Sequence, residues 1–283
     1  MAAVDDQWFE SQYNARAAVP EFVEIFARCD AASRRARLDI PCYLDVPYGQ
    51  GEAETMDIFP GVGPSRGTLS FIHGGYWRSR DKANFSMLAR TYRAAGFTVA
   101  IPNYALCPSV TIETIVRQML RAHAWIYRNV GRYGGDANRL IVSGHSAGGQ
   151  LAAMMLACDW NRYETDLPAD MVKGALTVSG IYDLMPLRRT SMNADLKLDQ
   201  NAALVGSPVT YLPSRPVPLV TAVGATESAE FRRQCQLLSS RWQHCLLASI
   251  VVPGSNHFTI VENLCLRGSV LYDAVMDLFA RVS

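Results

Sequence analysis

The spacing of hydrophobic positions changes along this chain, and the changes mark its elements. Through the first 38 residues the pattern is helical, with Trp8, Phe9, Tyr13, Phe22, Ile25 and Phe26 as expected buried contacts. Two short extended pieces follow at residues 40–46 and 55–59. They are bounded by Pro47, Gly49, Gly51 and Pro60, which punctuate turns. Beyond them, short apolar runs at residues 69–73, 97–101, 140–143, 175–179, 218–223 and 246–252 read as strands. Helical periods lie between most of these runs. Ile112, Ile115, Val116, Met119, Leu120 and Ile126 form one, and Phe231, Cys235, Leu238 and Trp242 another; near the end come Ile260, Leu264, Leu271, Val275 and Leu278. A strand covered on both faces has no polar side to alternate with, so continuous apolar strands between amphipathic helices predict a parallel sheet with helices on both faces. The expectation is an α/β fold with a mostly parallel sheet of about eight strands, in one domain over residues 1–283. Residues 184–216 break the rhythm. They are Pro-rich and weakly periodic, and predict a small cap insertion over the carboxyl edge of the sheet.

Composition narrows the classes. With 49% hydrophobic and 19% charged residues in 283, the chain can build a large core, which excludes a disordered protein. The longest apolar run, residues 151–158, is far short of the ~18 residues that span a bilayer. The opening Met1-Ala2-Ala3-Val4-Asp5-Asp6 has neither a basic nor an apolar leader region, so no secretory signal is expected. Basic and acidic residues number 27 and 26, a net charge of +1, which offers no electrostatic reason to expect a nucleic-acid or anionic-membrane partner. The 7 cysteines are scattered, without a C-x-x-C pair. They predict reduced, buried thiols in a cytoplasmic protein, not a disulfide framework or a zinc site. No metal and no cofactor are expected, and nothing in the sequence sets the oligomeric state.

Gly144-His145-Ser146-Ala147-Gly148 fits G-x-S-x-G. The pentapeptide alone is a weak signal, since small residues match by chance. Here it follows a strand-like run and opens a buried helical one, and strand, tight turn and helix together are the setting of a nucleophile elbow. The turn holds Ser146 in a strained backbone while the flanking glycines let the chain pass closely. The bland alternative is a Ser-Gly turn capping a helix. A second element, His73-Gly74-Gly75-Tyr76-Trp77, ends the first central strand. Glycines there allow backbone N–H groups to approach a substrate, as an oxyanion hole requires. The N–H groups of Gly75, Tyr76 and Ala147 are the candidate donors, with Gly74 shaping the loop.

Of the 5 histidines, His73 and His145 belong to these two motifs, His123 sits within a helix and His244 ends one. His257 lies on a loop after the last strand, where a base overhangs the carboxyl edge. Two acids compete to orient it. Glu227 follows the penultimate strand, the usual acid position, and is favoured; Asp183 follows the strand before it and also faces that edge. Their bland readings are a helix N-terminal charge for Glu227 and a helix cap for Asp183.

With these residues in hand, the chain resembles α/β-hydrolases of the kynurenine formamidase (arylformamidase) type, related to the hormone-sensitive-lipase-like esterases. The resemblance is carried by His73-Gly-Gly-Tyr-Trp, Asn103-Tyr-Ala-Leu-Cys-Pro-Ser-Val-Thr-Ile, Gly144-His-Ser-Ala-Gly-Gly, Ser179-Gly-Ile-Tyr-Asp-Leu, Glu230-Phe-Arg-Arg-Gln and Asn256-His-Phe, with Tyr13-Asn14-Ala15-Arg16 similar to bacterial members. It implies Ser146 as nucleophile, Glu227 as acid and His257 as base. It also implies hydrolysis of N-formylkynurenine to kynurenine and formate. Many relatives carry Asp where this chain has Glu227. The expected partner is therefore a small acyl amide or ester, with Tyr76, Trp77, Tyr104, Tyr182 and Phe258 as candidate flat walls for an aryl group. Two rival expectations stand beside it: a carboxylesterase for small aryl or alkyl esters, and a non-catalytic binding protein on a hydrolase fold.

Overall fold

The structure is a computed structural model that describes residues 5–213 and 215–282. The opening residues 1–4, read above as lacking a signal, and position 214 of the expected cap lie outside the described residues. Eight strands form one sheet: β1 (Tyr43–Pro47), β2 (Thr55–Phe59), β3 (Thr68–Ile72), β4 (Thr98–Pro102), β5 (Leu140–His145), β6 (Val172–Val178), β7 (Leu219–Gly224) and β8 (Leu246–Val252). Their order is β1-β2-β4-β3-β5-β6-β7-β8. Pairings β1–β2 and β2–β4 are antiparallel; every pairing from β4 across to β8 is parallel. Each apolar run read as a strand is one, within a residue or a few at its ends.

The strands alternate between two cores. Leu140 and Val142 of β5 enter one apolar cluster and Ile141 the other, as a period of two requires. The first core takes helices Ile112–Asn129, Ala147–Ala157 and Ala229–Arg241; the second takes Met87–Ala94, Ile260–Cys265 and Val270–Ala280. Ala147–Ala157 is apolar nearly all round because it packs behind β5 and β6 with almost no exposed face. Among the described residues no helix is long and apolar enough to cross a membrane.

Some details differ from expectation. β8 is an edge strand: Leu247 and Val251 point outward, so it alternates where continuous burial was expected. The last helical period is two helices, interrupted between Leu266 and Ser269, where Gly268 takes a positive φ of 79°. Trp8 is exposed, and Cys42, Cys158 and Cys265 are only half-buried. Residues 184–216 contain four short helical turns, Met185–Arg189, Asn193–Leu196, Gln200–Val205 and Pro208–Thr210, seated on Leu187, Met192, Leu196 and Leu198.

Two buried histidines, His73 just after β3 and His123 within the helix Ile112–Asn129, illustrate how the core treats ionisable groups. His123 is fully buried, with Nε2 3.0 Å from Ser70 Oγ on β3 and Nδ1 donating to Met119 O at 2.8 Å. Desolvation pushes its pKa down to about 4, and that of His73 likewise to about 4. Both are neutral in the folded state, whereas the unfolded chain binds their protons near pH 6.5. The unfolded state therefore holds more protons between pH 6.5 and 4. The stability these residues contribute is fully present above that window and is lost as the pH falls through it. Removing the pair as Ser70→Ala/His123→Leu should make stability less acid-sensitive. The parent should lose about 2 kcal/mol more than the double variant between pH 7 and pH 5 in urea titrations. Equal losses would show that His123 takes up its proton without cost.

Candidate active site

The loops that follow the parallel strands meet at their carboxyl ends, and the bend after β5 is the sharpest. Ser146 sits there at φ 57° and ψ −120°, outside the regions open to ordinary side chains. A Cβ on Gly144 would collide with the Gly148 carbonyl, and one on Gly148 with the Ile72 carbonyl at the end of β3. Both glycines are thus required by close passage of backbone. The Ser146 N–H donates to Val178 O on β6 at 2.8 Å, and the Ser146 carbonyl accepts from the N–H groups of Gly149 and Gln150. The serine is clamped to the neighbouring strand on one side and to the helix on the other.

The loop after β3 crosses in front of this bend. A Cβ on Gly74 would lie 2.8 Å from His145 O and 3.0 Å from Ser146 Cβ, so the loop approaches only because Gly74 has none. The next three residues all take positive φ: Gly75 at 120°, Tyr76 at 52° and Trp77 at 56°. Two non-glycine residues in succession in that region mark a strained loop held from outside. The holds are visible. The Tyr76 hydroxyl donates to Tyr13 O. Trp77 Nε1 donates to Gln150 Oε1 at 3.1 Å, and Gln150 Nε2 donates in turn to Gly206 O at 2.8 Å. Ser79 N–H closes the loop onto Gly75 O at 3.0 Å. Among the described residues, the N–H groups of Gly75, Tyr76 and Ala147 have no protein acceptor.

His257 completes the group. Its Nε2 lies 3.0 Å from Ser146 Oγ and its Nδ1 2.7 Å from Glu227 Oε2. All three side chains are buried. Glu227 Oε1 accepts from the Gly224 N–H at 2.7 Å and from Ser179 Oγ at 2.5 Å, so three donors converge on this carboxylate. Such saturation satisfies the hydrogen-bonding capacity of a buried carboxylate and fixes its orientation. The imidazole is packed by Phe231, its ring centroid 4.3 Å away, and its backbone carbonyl accepts from His145 Nε2 at 2.7 Å. Burial holds the His145 pKa well below its ordinary value, so it acts as a neutral donor anchoring the His257 loop.

Asp183, the competing acid, does not reach the imidazole. Its Oδ1 accepts from the Met185 N–H at 3.0 Å and its Oδ2 lies 3.6 Å from Arg233 Nη2. Its role is that of the turn cap. Ser146 and His257 open into a cavity of about 330 Å³. Of the five aromatic residues expected to wall it, Tyr76 and Phe258 do so, and Trp77, Tyr104 and Tyr182 do not. Those three are fully buried. Trp77 is turned toward Gln150; Tyr104 stacks on His73 with centroids 4.1 Å apart and donates to His73 O at 2.8 Å; Tyr182 packs over Gly180. They shape the loops from behind. Ser191 and Met192 of the expected cap line the cavity, and it is closed besides by the N-terminal segment, to which sequence reasoning assigned no site role: Asn14 and Arg16 line it, with Phe26 from the helix Phe22–Asp39. Ser179 and His145 were likewise missed as supports. The one available signal was that both lie in strings joined to the carboxyl edge.

Comparisons with known proteins place the chain in a family and a fold. The BD-FAE family profile matches residues 63–240, well over half the chain. A kynurenine formamidase of Salmo salar is 31% identical over 92% of this chain and 90% of its own. One from Danio rerio is 30% identical over 97% and 95%. A crystal structure from Silicibacter sp., described as a candidate thioesterase, superposes with a TM-score of 0.84 at 30% identity, covering 95% of this chain and 98% of that one. The sheet order, the bend at Ser146 and likeness running nearly end to end lead to one assignment: the chain is a hydrolytic enzyme with the α/β-hydrolase fold and belongs to the BD-FAE and kynurenine formamidase families.

Proposed function

We propose that Ser146, His257 and Glu227 form the catalytic triad of an arylformamidase, which cleaves N-formylkynurenine to kynurenine and formate. The observation that carries this reading is the continuous relay of hydrogen-bond contacts from Glu227 through His257 to Ser146, set at the floor of the cavity. We further take the whole chain as one domain. Its free thiols, with no disulfide among the described residues, suit a cytoplasmic enzyme.

The chemistry follows from the geometry. Ser146 Oγ attacks the formyl carbon as His257 Nε2 takes its proton, and the carbonyl π pair moves onto oxygen. In this reading the N–H groups of Ala147, Gly75 and Tyr76, which lack protein acceptors among the described residues, receive that oxyanion. Glu227 holds Nδ1–H and stabilises the imidazolium. Collapse of the adduct expels the aryl amine, which takes the proton from His257. Water, deprotonated by the same imidazole, then releases formate and regenerates the Ser146 hydroxyl. An aniline leaves more readily than an alkylamine because the ring delocalises its nitrogen lone pair.

A second reading, a carboxylesterase, also fits the cavity. About 330 Å³ is far more than a formyl group occupies, so it accommodates either a large leaving group or a larger acyl chain.

Three outcomes are expected. Ser146→Ala and His257→Ala should each lower kcat by about 10⁴–10⁶ with the fold intact, because members of a triad act as a unit. Near-normal turnover by either would remove the mechanism. Glu227→Gln should cost about 10³–10⁴ in kcat and Asp183→Asn far less; the reverse ranking on variants of matched stability would move the acid to Asp183. Formyl anilides should be hydrolysed at least about tenfold faster in kcat/KM than matched acetyl anilides, after correction for intrinsic reactivity. Of the residues expected to form the acyl wall, Tyr76 and Met192 of the cap line the cavity and are proposed to exclude the extra methyl, whereas Trp77 is turned into the core. Faster cleavage of butyryl than of formyl substrates would select the esterase reading.

A further inference from the structure

The walls of the catalytic cavity carry three guanidinium groups, Arg16, Arg78 and Arg80, and two carboxylates, Glu10 and Asp195. Four of these five charges have partners. Arg80 Nη2 and Nη1 bind Asp30 at 2.6 and 3.3 Å. Arg78 Nη1 binds Asp195 at 2.6 Å. Glu10 accepts from the Ser191 N–H at 2.8 Å, from its hydroxyl at 3.0 Å and from Asn14 Nδ2 at 3.1 Å. Arg16 differs. Among the described residues no carboxylate lies within ion-pair distance of it, and its single side-chain hydrogen bond is a 3.4 Å contact from Nη2 to Ser79 Oγ. It is held from beneath by aromatic faces, with its guanidinium carbon 5.7 Å from the Phe22 ring centroid and 6.0 Å from that of Phe26. A cation resting on aromatic rings keeps its N–H groups free at the edge, and a guanidinium edge matches a carboxylate with two parallel bonds.

We infer that Arg16 is a specificity-determining residue that binds a carboxylate carried on the leaving-group side of the substrate. This rests on the proposed reading of Ser146 and His257 as the hydrolytic site. Because the formyl group is small, the rest of the cavity receives the leaving group, and Arg16 stands on that wall. Desolvation, then the like charges of Arg78 and Arg80, hold the Arg16 pKa below its ordinary value, and an incoming anion relieves that unfavourable field. A neutral anilide relieves nothing and gains nothing from this wall. The selectivity is therefore for aryl amides bearing an acid group, over neutral ones with the same reacting bond.

The test uses two ligands, N-formylkynurenine and its carboxamide, which differ only in the anion. In the full chain carrying Ser146→Ala, calorimetry should give a Kd for the acid at least about tenfold lower than for the carboxamide. Adding Arg16→Gln should remove most of that ratio, and Arg16→Lys should retain part of it, since the charge stays but the fork is lost. In the Ser146-intact chain the same substitution should raise KM for the acid about 10- to 100-fold more than for the carboxamide, with the difference shrinking at high salt. Equal Kd values for the two ligands, no binding of either, or equal losses for both on Arg16→Gln would overturn the assignment. Selective binding of the acid by the Ser146→Ala chain, together with no hydrolysis of either formamide by the Ser146-intact chain, would overturn the formamidase reading and leave the carboxylate site standing.

Discussion

Ser146 must be held where an L-amino acid does not go by itself. At φ 57° and ψ −120° the backbone carries about 1–3 kcal/mol of strain, and nothing local to the pentapeptide offsets it. The offset comes from the helix Ala147–Ala157. Leu151, Met155 and Leu156 are buried behind the sheet, each contributing about 1.5–3 kcal/mol relative to exposure. The position of that helix is set in turn by glycines: Gly148 lies against the β3 backbone and Gly149 against Gly180 after β6. The strain at the serine is therefore sustained by the packing of the sheet's centre. Among the described residues, the helix's first N–H group, that of Ala147, is left without a protein acceptor. Loosening the centre would relax Ser146 toward an ordinary turn and withdraw its hydroxyl from His257.

The fold was legible in the sequence because burial on two faces leaves a periodic trace. Every strand from β3 to β7 is predominantly apolar and, Lys173 apart, buried along its length, and most of the helices between them alternate with a period near 3.6. The trace weakens where one face meets water, as at β8, and where a helix breaks without proline, as before Ser269. The side chains of the proposed triad were legible for another reason. A serine flanked by glycines after a strand, and a histidine on the loop after the last strand, need little beyond strand order to be placed. The aromatic walls were not legible. Trp77, Tyr104 and Tyr182 sit beside the motifs in sequence, but whether a side chain turns to the cavity or the core depends on backbone φ. Tyr76 and Trp77 both take positive φ, and one of them faces the cavity while the other faces Gln150. Composition carries no information about that choice.

The N-terminal segment is the larger omission, and its cause is chain separation. Asn14, Arg16 and Phe26 close a cavity whose floor lies more than 100 residues further along. No spacing rule connects them. What brings them together is a set of polar anchors. Tyr13 donates to Glu230 Oε2 at 2.7 Å and accepts from Gln234 Nε2 at 2.8 Å. Arg28 pairs with Glu262 at 2.6 Å, and Asp30 with Arg80. The Arg28 pair is half-exposed and adds little to stability in itself. The Tyr13 cluster is buried, so removing one partner leaves polar atoms without water and costs more than the bond is worth when intact. The register of the N-terminal helices over the site is thus set by the buried cluster.

This division has a consequence for how the site distinguishes substrates. The proposed reacting groups stand on the sheet's carboxyl edge, fixed by the packing of its centre. The cavity walls stand on the N-terminal segment and on residues 184–216, joined to the edge and to each other by side-chain contacts: Tyr76 to Tyr13, Glu10 to Ser191, Arg78 to Asp195. Substitutions in those two segments can reshape the walls without touching the strained turn or the relay to Glu227. Chemistry and selectivity are thereby carried by different parts of the chain. One sheet can then hold the same serine, histidine and acid in proteins that differ in the amide or ester they take.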